Sequence, residues 1–90
     1  MDEIDRLKLL FGTIDSSKKA VLEKLGIDYN RFAQVMGRKQ ALRAKELIQI
    51  AGEFPEHEYW ILTGKEMPEA GQISPMTKAA QRELGTQRKA

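Results

Sequence analysis

The stretch from residue 18 to residue 37, KKAVLEKLGIDYNRFAQVMG, constrains the fold of this chain more than any other. Val21, Leu22 and Leu25 give a first helix one apolar stripe, and Gly26 follows at once. A glycine there supplies the left-handed backbone angle that a sharp helix exit needs. Ile27 then plugs the corner. Phe32, Val35 and Met36, spaced i, i+3, i+4, give a second helix its own inward stripe. Asp28 stands where it can cap that helix by accepting from a free backbone N–H. The other side of the second helix carries Tyr29, Asn30, Ala33, Gln34 and Gly37, a polar or small strip. Two short amphipathic helices at a tight corner, the second polar outside, predict a helix-turn-helix whose outer face fits a DNA groove.

Charge is distributed to match. Net charge is only +2, but eight basic against three acidic residues between Ser16 and Glu46 give that segment +5, leaving −3 elsewhere. A basic middle between acidic flanks suits a phosphate-facing surface on a near-neutral domain. Ninety residues suffice for one domain with a modest core. With no cysteine, disulfides and thiolate metal sites are excluded. The N-terminus, MDEIDRLKLL, has acids where a secretory signal wants bases, and no apolar run is long enough to span a membrane. These features lead us to expect a cytoplasmic protein.

Periodicity predicts an all-α chain. A first helix covers residues 2–11, with Ile4, Leu7, Leu10 and Phe11 inward, Arg6 and Lys8 outward, and Gly12 as its stop. Asp15 or Ser16 is the expected cap of the next helix. After the basic break Gly37-Arg38-Lys39-Gln40, a fourth helix runs to about Gly52 and buries Leu42, Leu47, Ile48 and Ala51. Pro55 ends it, lacking an N–H and restricting the residue before it. A short fifth helix, residues 56–62, places Tyr59, Trp60, Ile61 and Leu62 for core contact, and Thr63-Gly64 stops it. Phe11, Phe32, Phe54 and Trp60 should share one core. Residues 65–73 then read as a linker, and Ser74-Pro75 as the start of a helical tail over residues 74–90. Met76, Ala79, Ala80 and Leu84 form its apolar stripe, Gly85 its stop, and residues 86–90 a polar, frayed end.

At residues 2–64 the chain resembles the lambda-repressor-like helix-turn-helix family, in the form found in small phage and prophage regulators. Val21, Leu25, Gly26, Ile27, Phe32 and Val35 fill the family's apolar and glycine places without a gap. Leu22 stands where the family usually has alanine, which implies wider helix spacing or a repacked contact. Downstream, Leu47-Ile48-Gln49-Ile50-Ala51, Phe54-Pro55-Glu56 and Tyr59-Trp60-Ile61-Leu62-Thr63-Gly64 look like the family's last two helices, which close on W-[LI]-L-T-G. The resemblance implies a five-helix domain over residues 1–64. The rival register, with residues 30–37 as the first motif helix, would make the core-like 42–51 helix the DNA reader, and it leaves too few residues before the Tyr59–Gly64 ending.

Tyr29, Asn30, Arg31 and Gln34 are the base-reading candidates. Asn and Gln bond adenine bidentately, tyrosine meets a thymine methyl or a phosphate, and Arg31 suits guanine or a phosphate. Lys18 and Lys19 begin a helix, where their charge opposes the helix dipole, so an external anion explains them better than helix stability does. Arg38, Lys39 and Arg43 follow the recognition helix as backbone clamps. Trp60 reads as core. His57, the single histidine, lies between Glu56 and Glu58 and reads as a surface residue, with no second metal ligand at helical spacing. No triad and no phosphate-cradling glycine loop is present, so no enzyme, cofactor or metal is expected.

The function expected is a transcriptional regulator, a repressor binding an inverted repeat of double-stranded DNA as a homodimer. The dimer contact would lie on the last helix of the domain or on residues 74–84. The alternative is a phage-encoded or antitoxin-like interaction module that inhibits a protein partner through residues 66–90.

Overall fold

Asp2 opens the first helix, α1 (Glu3–Thr13), by accepting from the Asp5 N–H at 2.9 Å while the Asp5 carboxylate reaches back to the Asp2 N–H. Such reciprocal capping satisfies two donors that a helix start otherwise leaves open. This computed structural model describes the backbone of residues 1–89 and the side chains of residues 1–84. After α1 come α2 (Lys18–Leu25), α3 (Tyr29–Met36), α4 (Ala44–Glu53), α5 (Glu58–Thr63) and α6 (Pro75–Lys89). The fold is all-α. Among the described residues the one β-type pairing is an isolated antiparallel bridge between Met67 and Gln72.

Leu7, Leu10, Leu22, Ile27, Phe32, Ile50, Ala51, Trp60 and Ile61 form the core, with Phe11 and Phe54 packed against it. Fully burying each large side chain of this kind stabilises the fold by about 1.5–3 kcal/mol. Phe11 sits edge-on to Phe32 at 5.6 Å and to Phe54 at 6.3 Å, so the four aromatic residues do share one core. Leu22 is completely buried there.

Several expectations are corrected. Helix α1 passes through Gly12 and ends at Thr13, whose hydroxyl donates to the Leu9 carbonyl at 2.9 Å. Arg6 is buried at 7% exposure instead of facing water. Its Nε donates to the Ile61 carbonyl at 3.0 Å and its Nη1 to the Met1 carbonyl at 3.2 Å. The guanidinium thereby tends the C-terminal end of α5, where positive charge is favoured. Arg6 also bears on the closing glycine: Gly64 has φ +78°, and a Cβ there would stand 3.2 Å from Arg6 Nη1.

Ser17, not Asp15 or Ser16, caps α2 by accepting from the Ala20 N–H. Helix α4 starts at Ala44, so Leu42 precedes it. Ile48 is 61% exposed and Ile50 takes the core place. Residues 47, 48, 51 and residues 47, 50, 51 both satisfy helical spacing, and contact with α5 selects the second set. Leu62 likewise faces outward.

The segment expected as a linker folds back on the body. Met67 and Gln72 exchange backbone hydrogen bonds of 2.8 and 3.0 Å around a 3-10 turn, Pro68–Ala70. The Gln72 amide accepts from the Tyr59 N–H at 2.9 Å and donates to the Pro55 carbonyl at 2.8 Å. Ser74 then caps α6 by accepting from the Thr77 N–H at 3.1 Å, as its place before proline predicts. Helix α6 continues through Gly85 to Lys89, and Ala90 lies outside the described residues. Its stripe of Met76, Ala79, Ala80 and Leu84 is exposed.

Candidate nucleic-acid interface

Everything at this site depends on how the chain turns at Gly26. With φ at +72°, Gly26 donates its N–H to the Glu23 carbonyl at 3.1 Å, and Ile27 donates to the Leu22 carbonyl at 2.9 Å. That pair of bonds closes the last turn of α2 and drops Ile27 into the core beside Leu22. Asp28 then caps α3 by accepting from the Arg31 N–H at 2.8 Å, as expected. Phe32 and Val35 anchor the inner face of α3 at full burial.

The outer face of α3 is open. Asn30, Ala33 and Gln34 line one shallow depression with Gly37 and Lys39, so two amide residues and a lysine share it with two small residues. Tyr29 stands at the N-terminal end of this face, half exposed, with the Lys18 ammonium 5.6 Å from its ring centroid. That distance is within cation–π range and ties the start of α2 to the start of α3. Lys18, Lys19, Lys39 and Arg43 are all exposed, and none has an ion-pair partner among the described residues.

Two of the predicted residues are engaged elsewhere. Arg31, expected to read bases, turns inward: its Nη1 pairs with the Glu46 carboxylate and its Nη2 donates to the Ala41 carbonyl at 3.1 Å. Glu46 is buried and also accepts from the Arg43 N–H at 3.0 Å, so the pair locks α3 to the start of α4. A buried carboxylate demands such a partner, which is why the guanidinium is drawn off the open face. Arg38, expected to clamp phosphate, instead donates to Asp2 at 2.7 and 3.2 Å and to Asp5 at 3.1 Å. Its guanidinium holds the Asp2 carboxyl well below the usual carboxylate range, with the Asp5 N–H adding to the effect.

His57 also departs from expectation. It is 3% exposed, and its Nδ1 lies 2.6 Å from the Ile73 carbonyl. A carbonyl only accepts, so Nδ1 carries the proton. Its Nε2 lies 3.6 Å from the Glu56 carboxylate. The histidine therefore fastens the C-terminal segment, helped by the Ile73 N–H to the Glu56 carbonyl at 2.9 Å and by an ion pair from Lys78 to Glu56. Local sequence hid this role, because two flanking glutamates make a histidine look solvated. Among the described residues no cluster of His, Cys, Asp or Glu is arranged to hold a metal ion, and no helix is long and apolar enough to cross a membrane.

No protein-family model matches the chain, and no curated protein matches it either. Among solved structures, the chain is similar to Pf6r from the filamentous phage Pf6 of Pseudomonas aeruginosa PA01. The two share 28% sequence identity at a TM-score of 0.71, over 94% of this chain and 99% of that one. The likeness extends over almost the whole of both chains, and it sets this chain beside a small phage protein of nearly the same extent.

Proposed function

We propose that this protein is a phage-type transcriptional regulator that binds double-stranded DNA sequence-specifically through α3 and acts as a repressor. The observation that carries this reading is the open face of α3, where Asn30 and Gln34 share one depression with Lys39 and the small residues Ala33 and Gly37. Those amides have the bidentate geometry that adenine requires, and the small residues let the helix approach base edges closely. Lys18, Lys19, Lys39 and Arg43 flank the face and supply the sequence-independent grip on phosphate. Similarity to a filamentous-phage protein over almost the whole chain favours the same assignment.

A single α3 covers too few base pairs for selective binding, so the regulator acts as a homodimer on an inverted repeat. The outer face of α6 supports a place for the contact. Met76 and Leu84 are 45% and 55% exposed and stand eight residues apart, with Ala80 between them on the same side. The same face would serve a different protein if the chain were an inhibitor of a partner, and an equilibrium measurement of mass separates the two readings.

The deciding experiment is a selection of genomic fragments with the purified protein, followed by binding isotherms across salt. A recovered palindrome, with log K falling against log salt at a slope near about −7 for four phosphate contacts from each of two protomers, is the expected result. Affinity that is independent of salt would end this reading.

A further inference from the structure

Arg38 has a backbone that its residue type disfavours. The end of α3 closes with the Lys39 N–H donating to the Gln34 carbonyl at 2.9 Å and the Arg38 N–H to the Val35 carbonyl at 3.0 Å. This is the bond pattern already met at Gly26, and it needs a residue in the left-handed region. At α2 a glycine fills that place. At α3 the glycine stands one position early, at φ −80°, and Arg38 takes the left-handed angle of +61°. It is the one residue other than glycine with positive φ among the described residues. A side chain there is strained, and such strain persists where other contacts hold it.

The contacts are those to Asp2 and Asp5. Arg38 meets both oxygens of Asp2 through Nη1 and Nη2, the two-pronged geometry a guanidinium also offers to a phosphate. A third bond reaches Asp5. All three side chains are about half exposed, so an incoming anion can reach them. Arg38 sits between Gly37 and Lys39, both of which line the depression on the reading face.

We propose that Asp2 and Asp5 form an intramolecular latch that occupies Arg38 in place of a DNA phosphate and restrains binding to non-cognate DNA. The inference rests on the DNA-binding reading above and adds a regulatory contact to it. With the latch closed, the strongest phosphate-seeking group at the end of α3 is withheld, and two carboxylates stand beside the path of the DNA backbone. Random duplex then meets only the lysines and Arg43. Releasing the latch adds one charge-assisted contact.

The test uses the full chain, a 30-base-pair duplex of arbitrary sequence, and anisotropy isotherms between 50 and 200 mM salt. The double variant Asp2→Asn, Asp5→Asn keeps a good helix cap, since asparagine caps as well as aspartate. We expect it to bind more tightly than the unaltered protein, with a log–log slope steeper by about 0.9 for each protomer bound, one further phosphate contact apiece. Across that salt range the steeper slope is about 3.5-fold of additional loss for each protomer bound. Adding Arg38→Gln should return the slope to its original value. A double variant with tighter binding and an unchanged slope, or a triple variant that keeps the steeper slope, would overturn the latch while leaving DNA binding intact: the carboxylates would then act by repulsion alone. No salt-dependent binding in any of the three proteins would overturn both the latch and the function proposed above. Circular dichroism of each variant establishes that α1 and α3 remain folded.

Discussion

Helices α3 and α6 each leave one side uncovered, and the two sides differ in chemistry. The bare side of α3 offers amides, a phenol and small residues, with cations around its edge. The bare side of α6 offers Met76, Ala80 and Leu84. Their attachments differ as well. Helix α3 is held by apolar burial of Phe32 and Val35 and by one inward ion pair from Arg31. Helix α6 enters through a polar harness: Gln72 to residues 55 and 59, His57 to Ile73, Ser74 to Glu66, and Lys78 to Glu56. An uncovered polar face in a cationic frame suits a polyanion, and an uncovered apolar face suits another protein surface. On the function proposed above, the two helices would therefore meet different partners, and each proposal can be broken separately.

The largest effect should come from Asn30→Ala with Gln34→Ala. Loss of two bidentate contacts removes about 4 kcal/mol of discrimination between cognate and arbitrary duplex. Thermal unfolding should stay unchanged, because both side chains are exposed and neither has a hydrogen-bond partner within the described residues. Competition binding measures the first quantity and calorimetry the second. An unaltered preference for the cognate site would move the reading face away from α3.

Arg31→Ala defines where that face ends. Its guanidinium answers the buried Glu46 carboxylate, so its removal leaves a charge stranded and should lower stability by about 3 kcal/mol. Base preference at conditions where the variant is folded should not change. If preference changed and stability did not, Arg31 would belong with the readers, as its sequence position alone suggests.

Sequence made the motif legible because its determinants are local. The turn at Gly26, the Asp28 cap and the Phe32–Val35 stripe each depend on residues within one or two turns, so spacing alone places them. Arg31 and Arg38 were not legible in this way. Their partners lie 15 and 36 residues away, and a basic residue beside a recognition helix looks the same whether or not a carboxylate meets it. Ile48 and Ile50 pose another limit, since two helical registers fit the same apolar pattern and only the position of α5 chooses between them. The harness of α6 was hidden because glutamine, serine and glutamate in a stretch without periodicity resemble a linker. The Phe11–Phe32–Phe54 contacts were accessible only as an expectation that aromatic residues from separate helices converge.

The exposed stripe of α6 is tested by Met76→Glu with Leu84→Glu. Neither side chain is buried in the chain itself, so the fold should survive. A dimer held there should dissociate, and binding to a paired site should weaken about 100-fold as the second half-site loses its tethered reader. Sedimentation and binding to a single half-site separate the outcomes: half-site affinity should be unaffected. A variant that remains dimeric would direct attention to Ile48 and Leu62, the other exposed aliphatic side chains on α4 and α5.

The smallest effect concerns the harness and depends on pH. The Lys78 ammonium beside Glu56 lowers the pKa of that carboxyl, and the Ser74 N–H, with Thr77, does the same for Glu66. A carboxyl whose folded pKa is depressed stabilises the folded arrangement above its unfolded pKa, near 4.5, and loses that contribution as pH falls through the lower folded value. Both groups are largely exposed, so screening keeps the change modest. Hydrogen-exchange protection of the first turns of α6 should therefore be level above about pH 5 and decline on acidification below about pH 4.5. In the double variant Glu56→Gln, Glu66→Gln, that decline should flatten, because neither replacement titrates. The amides of α3 should keep their own acid response in both proteins, since neither carboxylate touches that helix. An identical decline in the double variant would mean that the acid response of α6 arises from titrating groups other than Glu56 and Glu66, and that this part of the harness does not hold the helix.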